Sequence, residues 1–292
     1  MIYRVRHLTT YAYESPVTFA RCALRLSAHS GDGQTVLESA VTVTPEPARL
    51  EQHEGQFGER VITATIEAPH NELKILATSR VQIDRPPLPR PLAGQPWEAV
   101  RDAAFATRQL DLASPAHFLY PSKMTSVHRS MTEFARESFT PGRPIVEAAF
   151  DLTQRIKASF RYDPGYTEVA TPAIDAFDAR RGVCQDYAHI MIAGLKGLGL
   201  PAAYVSGYLR TVPPPGKARL EGADATHAWV DLWCGEADGW IGFDPTNALV
   251  VAEDHIILAI GRDYSDVAPI GGIVLGPGEQ TIKVGVDVIP EA

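Results

Sequence analysis

The 292-residue chain reads as α+β in two parts: a β-rich first part, then a part in which helices precede strands. Three observations predict this. Runs rich in Val, Ile, Thr and Tyr recur through residues 1–85 with turn residues between them. The stretch Arg85-Pro86-Pro87-Leu88-Pro89-Arg90-Pro91 then breaks any ladder, because proline has no N–H to donate. From Trp97 the apolar residues recur at helical steps before the pattern returns to strands.

In chain order, five strand-like runs come first: Ile2 to Tyr13, Ala20 to Ala28, Thr35 to Thr44, Arg60 to Ala68 and Glu72 to Ile83. Turn material such as Ser30-Gly31-Asp32-Gly33 and Pro45-Glu46-Pro47 separates them, and short strands at this spacing predict a β-sandwich-like domain over 1–85. It holds no nucleophile or ligand cluster, so it is read as scaffold or docking module. Residues 86–96 form an extended, semi-rigid linker, with recognition by a proline-binding partner as the alternative. The remaining unit is 97–292. Ile145, Ala149, Leu152, Ile156 and Phe160 make one apolar stripe on a helix that follows Pro144. Cys184, Ala188, Met191, Leu195 and Leu198 repeat the pattern, and Gly197, Gly199 and Pro201 stop it. Strands are expected at Ala203 to Leu209, His227 to Trp233, Trp240 to Phe243, Gly272 to Leu275 and Gln280 to Ile289.

A formal net charge of −8 gives nucleic acid no electrostatic reason to bind. Charges at Arg4 and Arg6 interrupt what would be the apolar run of a signal peptide, and no stretch has the ~18 apolar residues of a membrane span. The three cysteines, Cys22, Cys184 and Cys234, are odd in number and far apart, so neither a metal site nor a disulfide framework is expected. The setting they suit is cytoplasmic.

Cys184 follows Gly182-Val183 and falls on the first turn of its helix. Unpaired N–H groups and the positive end of the helix dipole favour a thiolate there and suit an oxyanion. His227 opens a strand in Thr226-His227-Ala228-Trp229-Val230 and shares a face with Trp229, Asp231 and Trp233. An imidazole there can reach a thiol, with Trp229 as shield. Asp244, in Gly242-Phe243-Asp244-Pro245-Thr246, ends a strand and is held extended by Pro245; a carboxylate there can fix an imidazole tautomer. Each residue alone has a plainer explanation: a small buried thiol, a histidine at a strand end, a turn opener.

Together, Gly182-Val183-Cys184-Gln185-Asp186-Tyr187-Ala188, Thr226-His227-Ala228-Trp229-Val230 and Gly242-Phe243-Asp244-Pro245-Thr246 resemble the bacterial transglutaminase-like family, over a core of roughly 145–250. The β-rich first part also resembles the N-terminal domain of one bacterial branch. The resemblance implies a papain-like core with the nucleophile at a helix N-terminus packed on an antiparallel sheet. It implies Cys184 as nucleophile, His227 as base and then acid, and Asp244 as orienter, with no cofactor or metal. The expected function is a thiol amidohydrolase or peptidase acting on a peptide or isopeptide bond of a peptide or protein substrate. Acyl transfer to an amine is the alternative, and a non-catalytic binding or scaffold protein is a third reading. No acidic loop has calcium-ligand spacing.

A second tier surrounds the trio. Gln185 and Asp186 flank the nucleophile, as cleft residues or as structural ones. Tyr162, in Phe160-Arg161-Tyr162, is a candidate for oxyanion binding. Gly261 to Asp266 either lines a substrate channel or forms a capped turn. His189 is read as packing, and Cys22 and Cys234 as strand residues without chemistry.

Overall fold

The computed structural model describes residues 1–85, 88, 92, 94–211, 222 and 224–291. The first six strands are β1 (Ile2–Val17), β2 (Phe19–Leu24), β3 (Gln34–Thr44), β4 (Arg49–Glu54), β5 (Arg60–Ile66) and β6 (His70–Ile83). β4 falls where the sequence suggests no strand. Its Arg-Leu-Glu-Gln-His-Glu side chains are nearly all exposed because it is a sheet edge, and charge there blocks further pairing.

The chain then forms α1 (Trp97–Ala106), a short 3-10 turn (Pro115–Phe118), α2 (Arg129–Arg136), α3 (Ile145–Ser159), β7 (Arg161–Tyr162), α4 (Ala173–Ala179), β8 (Arg181–Gly182) and α5 (Cys184–Gly197). After these come β9 (Ala202–Leu209), β10 (Ala225–Trp233), β11 (Trp240–Asp244), β12 (Leu249–Val250), β13 (His255–Gly261), α6 (Tyr264–Val267), β14 (Ile270–Leu275) and β15 (Gln280–Pro290). No helix of the described residues is long and apolar enough to cross a membrane. Most of the linker expected over 86–96 lies outside the described residues. Of its described members, Leu88 and Leu92 pack on the apolar core and Gln95 accepts a hydrogen bond from the Ile145 amide.

The sheet orders are β15-β1-β6-β3, β14-β2-β5-β4 and β12-β11-β10-β9-β13, each antiparallel throughout. The first two share a core of Val17, Leu24, Ile62, Ile66, Leu73 and Ile75, which makes them a sandwich. Its membership differs from a simple division of the sequence. β14 and β15, grouped in the sequence reading with unit 97–292, pair with β2 and β1, and β1 with β15 runs in register from Tyr3↔Pro290 to Tyr13↔Gln280. The reason is edge coverage: β1 and β2 would otherwise present long unpaired edges.

The third sheet carries α5 on one side. Tyr187, Ala188, Met191, Ile192 and Leu195 join Tyr204, Ala228, Val230 and Leu232 in the largest core. The sequence predicts one apolar stripe on α5, whereas the structure buries every residue from Gln185 to Lys196. Sheet on one side and α2, α3 and α4 on the others enclose it. Gly199, at φ +79°, closes the helix with the Leu200 amide donating to the Leu195 carbonyl. The sandwich is fastened to the third sheet by Gln34, whose Oε1 accepts from the Ile257 amide (2.9 Å) and whose Nε2 donates to the Ile257 carbonyl (2.8 Å).

Gly207 marks a close approach inside that sheet. It pairs with both His227 and Ile257, and a Cβ there would sit 2.2 Å from the Ile256 carbonyl oxygen and 2.4 Å from the Trp229 ring. Backbone cannot move aside as a flexible side chain can. Gly207→Ala is expected to destabilise the protein by about 1–3 kcal/mol, the usual cost of overpacking, measured as a fall in urea midpoint at constant slope.

Candidate active site

The start of α5 is shaped by a turn that only glycine fits. Gly182, at φ +159°, leaves no room for a side chain because a Cβ would lie 2.5 Å from Asp186 Oδ2. Asp186 folds back into that space and accepts from the Val183 amide (2.7 Å) and the Thr167 hydroxyl (2.6 Å). Asp186 is therefore a positioning group for the helix start, and its carboxylate caps the N-terminus of the dipole. Cys184 follows at the first helical position, half-buried, where the first-turn amides have no acceptor four residues back.

β10 brings His227 to this point. The ring is 8% exposed and close enough to the Cys184 thiol for the sulfur to affect its titration, while its Nε2 lies 2.8 Å from Asp244 Oδ2. With Nε2 engaged, Nδ1 is the nitrogen left for the sulfur. Asp244 is wholly buried and receives more donors than its turn would need. Oδ1 accepts from the Thr246 and Asn247 amides (2.9 and 3.1 Å), and Oδ2 accepts from the Asn247 side-chain amide (2.8 Å) as well as from His227. A further partner is His255, at the start of β13, with Nε2 3.2 Å from Asp244 Oδ2.

His255 carries no motif in the sequence, and nothing singles it out there. Its ring is 2% exposed, lies edge-on to Trp229 at 5.2 Å between centroids, and leaves a buried Nδ1 without a partner. Its Nε2–H therefore points at Asp244, which holds two imidazoles with one oxygen. The ligand atoms of His227, Asp244 and His255 all lie within 4.8 Å of one another, a donor set that a divalent ion can use. Hydrogen bonds already join all three. The sequence spacing of 17 and 11 residues between these positions resembles no metal motif, so only folding reveals the cluster.

Burial pushes the His227 ring down, but hydrogen bonds with Asp244 and the Cys184 thiol overturn this and raise it to about 10. Asp244 moves the other way: burial would raise it, and hydrogen bonds from His227 and His255 pull it well below the usual carboxylate range. A charged imidazolium beside sulfur is the partner a thiolate needs. The sign of the linkage is then fixed. The raised His227 contributes stability that is fully present below pH 6.5 and is lost as pH rises through about 10. The lowered Asp244 contributes stability above pH 3.8 that is lost as pH falls. Unfolding stability is expected to decline on the alkaline side, and His227→Gln is expected to flatten that decline, measured by urea titrations from about pH 7 to 10.

The second-tier residues are placed as follows. Tyr162 is drawn beside the site by a two-residue parallel ladder, Arg161↔Arg181 and Tyr162↔Gly182, and stays half exposed, edge-on to Tyr187 at 6.3 Å. Its phenol is raised by burial, with Cys184 and Asp186 adding to the effect. Gln185 is turned away, its Nε2 donating to the Val169 carbonyl (2.9 Å) and so tethering the segment before α4. Trp229 is fully buried with its ring 6.2 Å from that of His227, a packed wall beside the imidazole. His189 accepts from the Tyr264 amide and is held neutral by burial at about 4. Asp263 caps α6 and Arg262 pairs with Asp266, so the 261–266 loop is a capped turn. Cys22 and Cys234 are buried, and burial pushes both thiols up.

Residues 3–82 match the family model of the bacterial transglutaminase-like N-terminal region, and residues 132–245 match that of the transglutaminase-like superfamily. An uncharacterized protein of Mycobacterium tuberculosis is 39% identical over 300 residues, covering 99% of this chain and 92% of its own length. A protein-glutamine gamma-glutamyltransferase of Pseudomonas aeruginosa is 32% identical over 126 residues, or 40% of this chain and 18% of that protein. A solved structure from Cytophaga hutchinsonii, provisionally assigned as a cysteine protease, gives a TM-score of 0.74 at 22% identity over 100% of this chain and 92% of the other. That likeness is one of fold.

Proposed function

Because this chain belongs to the transglutaminase-like superfamily, we propose that it is a thiol amidohydrolase or peptidase that opens a peptide or isopeptide bond through a thioester on Cys184. One observation carries the reading. A half-buried thiol at a helix N-terminus is electrostatically coupled to an imidazole, one nitrogen of which is 2.8 Å from a buried carboxylate.

In this mechanism the Cys184 sulfur attacks the amide carbon while its proton resides on His227 Nδ1. The first-turn amides of α5 meet the oxyanion. Collapse breaks the C–N bond, His227 gives its proton to the departing amine, and the acyl group stays on sulfur. Water then attacks the thioester, His227 takes its proton, and the carboxylic acid and free thiol are released. Asp244 keeps the imidazole in the tautomer that faces sulfur and stabilises its charged form. Acyl transfer replaces that water by an amine, and the match to a protein-glutamine gamma-glutamyltransferase favours it as a second reading. The N-terminal sandwich supports the core in either case, and three free cysteines suit a cytoplasmic setting.

The test is a peptide-library digest with and without an added primary amine, using Cys184→Ala as the blank. Product release without amine incorporation supports hydrolysis. Incorporation supports transfer, and turnover equal to the blank overturns both. His255 acts as a positioning residue in this scheme. His255→Phe removes one charge-assisted hydrogen bond to Asp244 and is expected to lower kcat roughly ten- to hundredfold at little changed KM. Rescue by His255→Gln, which can still donate, separates positioning from simple packing.

A further inference from the structure

A second concave site opens on the sheet face that carries Trp229, away from α5. It is a cavity of about 320 Å³ between the sandwich and the third sheet, with Asp231 at its floor, Trp240, Phe118 and Phe57 as walls, and Asp32 and Glu54 toward the mouth. The walls are fixed before any ligand arrives. Phe57 and Phe118 lie 5.1 Å apart, Phe118 is edge-on to Trp240 at 5.2 Å, and the Trp240 indole donates to the Ala113 carbonyl.

Asp231 is the unusual member. It is 7% exposed, four residues along β10 from His227, or about 13 Å by strand rise. No cation lies within ion-pair distance of it among the described residues. The nearest, Arg85, directs its donors elsewhere: Nε to the Asp32 carbonyl, Nη1 to the Ala252 and His255 carbonyls, and Nη2 to Gln34 Oε1. The Trp229 indole N–H approaches the carboxyl without closing a hydrogen bond and is left unpartnered. Burial, helped by the Asp32 carboxylate, pushes Asp231 up to about 7 against the pull of Arg85. A buried carboxyl with no ion-pair or hydrogen-bond partner in contact is costly, Arg85 acting on it only at longer range, and this one lines an open cavity. Beside the three carboxylates the lining holds His29, whose Nε2 lies 4.0 Å from Asp32 Oδ2 and whose ring is pushed below the ordinary imidazole range by burial. Arg262, 5.9 Å from the Phe57 ring centroid, is paired with Asp266.

Acidic groups at floor and mouth with aromatic walls between them define a complementary ligand. We propose that this cavity is a binding site for a small organic cation, a primary amine carrying a compact aromatic body. Its ammonium meets Asp231 and its ring packs among Phe57, Phe118 and Trp240. The site is independent of the reaction assigned to Cys184 and about two strand turns of side chains away from it along β10.

The experiment is isothermal titration of the intact protein with 2-phenylethylamine, 2-phenylethanol and 3-phenylpropionate. The amine is expected to bind at least about tenfold more tightly than the alcohol, as one charge-assisted hydrogen bond predicts, and the acid not at all. Asp231→Asn is expected to erase the preference for the amine while leaving alcohol binding within about twofold, which also reports that the cavity is still folded. Asp32→Asn, at the half-exposed mouth, is expected to weaken the amine a few-fold. Alkylating Cys184 with iodoacetamide is expected to leave amine affinity unchanged. No binding of the amine at about 10 mM, equal affinity for amine and alcohol, or loss of binding on Cys184 alkylation overturns the proposal.

Discussion

His227→Ala is expected to slow iodoacetamide alkylation of Cys184 at about pH 6 by roughly 10²–10³-fold and to remove turnover of any amide substrate. Two separate contributions vanish with the ring. One is the charged neighbour that stabilises a thiolate, since His227 is raised to about 10 and carries its proton at neutral pH. The other is the acid that delivers a proton to the leaving amine. Cys22 and Cys234 are internal controls within the same molecule: both are buried, and both thiols are raised by that burial, so their slow labelling is expected to be unaffected. Quantifying all three cysteines by mass spectrometry in one sample checks this. Equal labelling of the three in the parent protein, or an unchanged Cys184 rate in the variant, would sink the assignment of an activated nucleophile.

Asp244→Asn is expected to lose about 10³–10⁴-fold in acylation rate and about 3 kcal/mol of stability together. The substitution conserves shape, so the effect is one of hydrogen-bond polarity. Asp244 takes bonds from two backbone amides, the Asn247 side chain and two imidazoles, with no solvent contact at all. An asparagine offers one acceptor oxygen in place of two and turns an NH2 group toward existing donors. If its NH2 faces His227, the ring must accept at Nε2 and carry its proton on Nδ1, pointing an N–H at sulfur in the neutral form; if it faces the Thr246 and Asn247 amides, the turn opens. Urea denaturation reads the stability loss, and labelling under conditions where the variant is fully folded reads the chemistry. A folded Asp244→Asn protein that labels at the parent rate would leave Asp244 with a structural role only.

The residues of the candidate site were legible to different depths. Cys184, His227 and Asp244 sit at element ends with short motifs, and those ends are set by local rules: a glycine turn, a strand start, a proline after the carboxylate. Such rules act within a few residues, so a sequence carries them openly. His255 has no local mark because its role arises from register. β13 pairs with β9, β9 pairs with β10, and only that stacking of strands sets His255 beside Asp244. The destination of β14 and β15 was hidden for the same reason: their alternation states that they are strands, and nothing in them names a partner 246 to 287 positions away. β4 was hidden by its charge, which edge strands carry and central strands do not. Asp231 shares a face with His227 by strand alternation, but the cavity in front of it is assembled from both parts of the chain, Phe57 from the sandwich and Phe118 and Trp240 from the other. In this protein the candidate trio is written locally, and its support is written in long-range pairing.

The closure of the sandwich by β15 also fixes an order of events during synthesis. β1 leaves the ribosome more than 260 residues ahead of its neighbour β15. Until then β1 has only β6 to pair with, and the sheet that buttresses Ile257 and His255 through Gln34 and Arg85 stands incomplete. Local contacts can assemble the helices early, whereas this strand insertion is a late and slow step. A nascent chain is therefore expected to expose the Cys184 thiol while the sandwich that braces His255 through Arg85 is still open, and thiol labelling of stalled chains that end before and after β15 reads the difference.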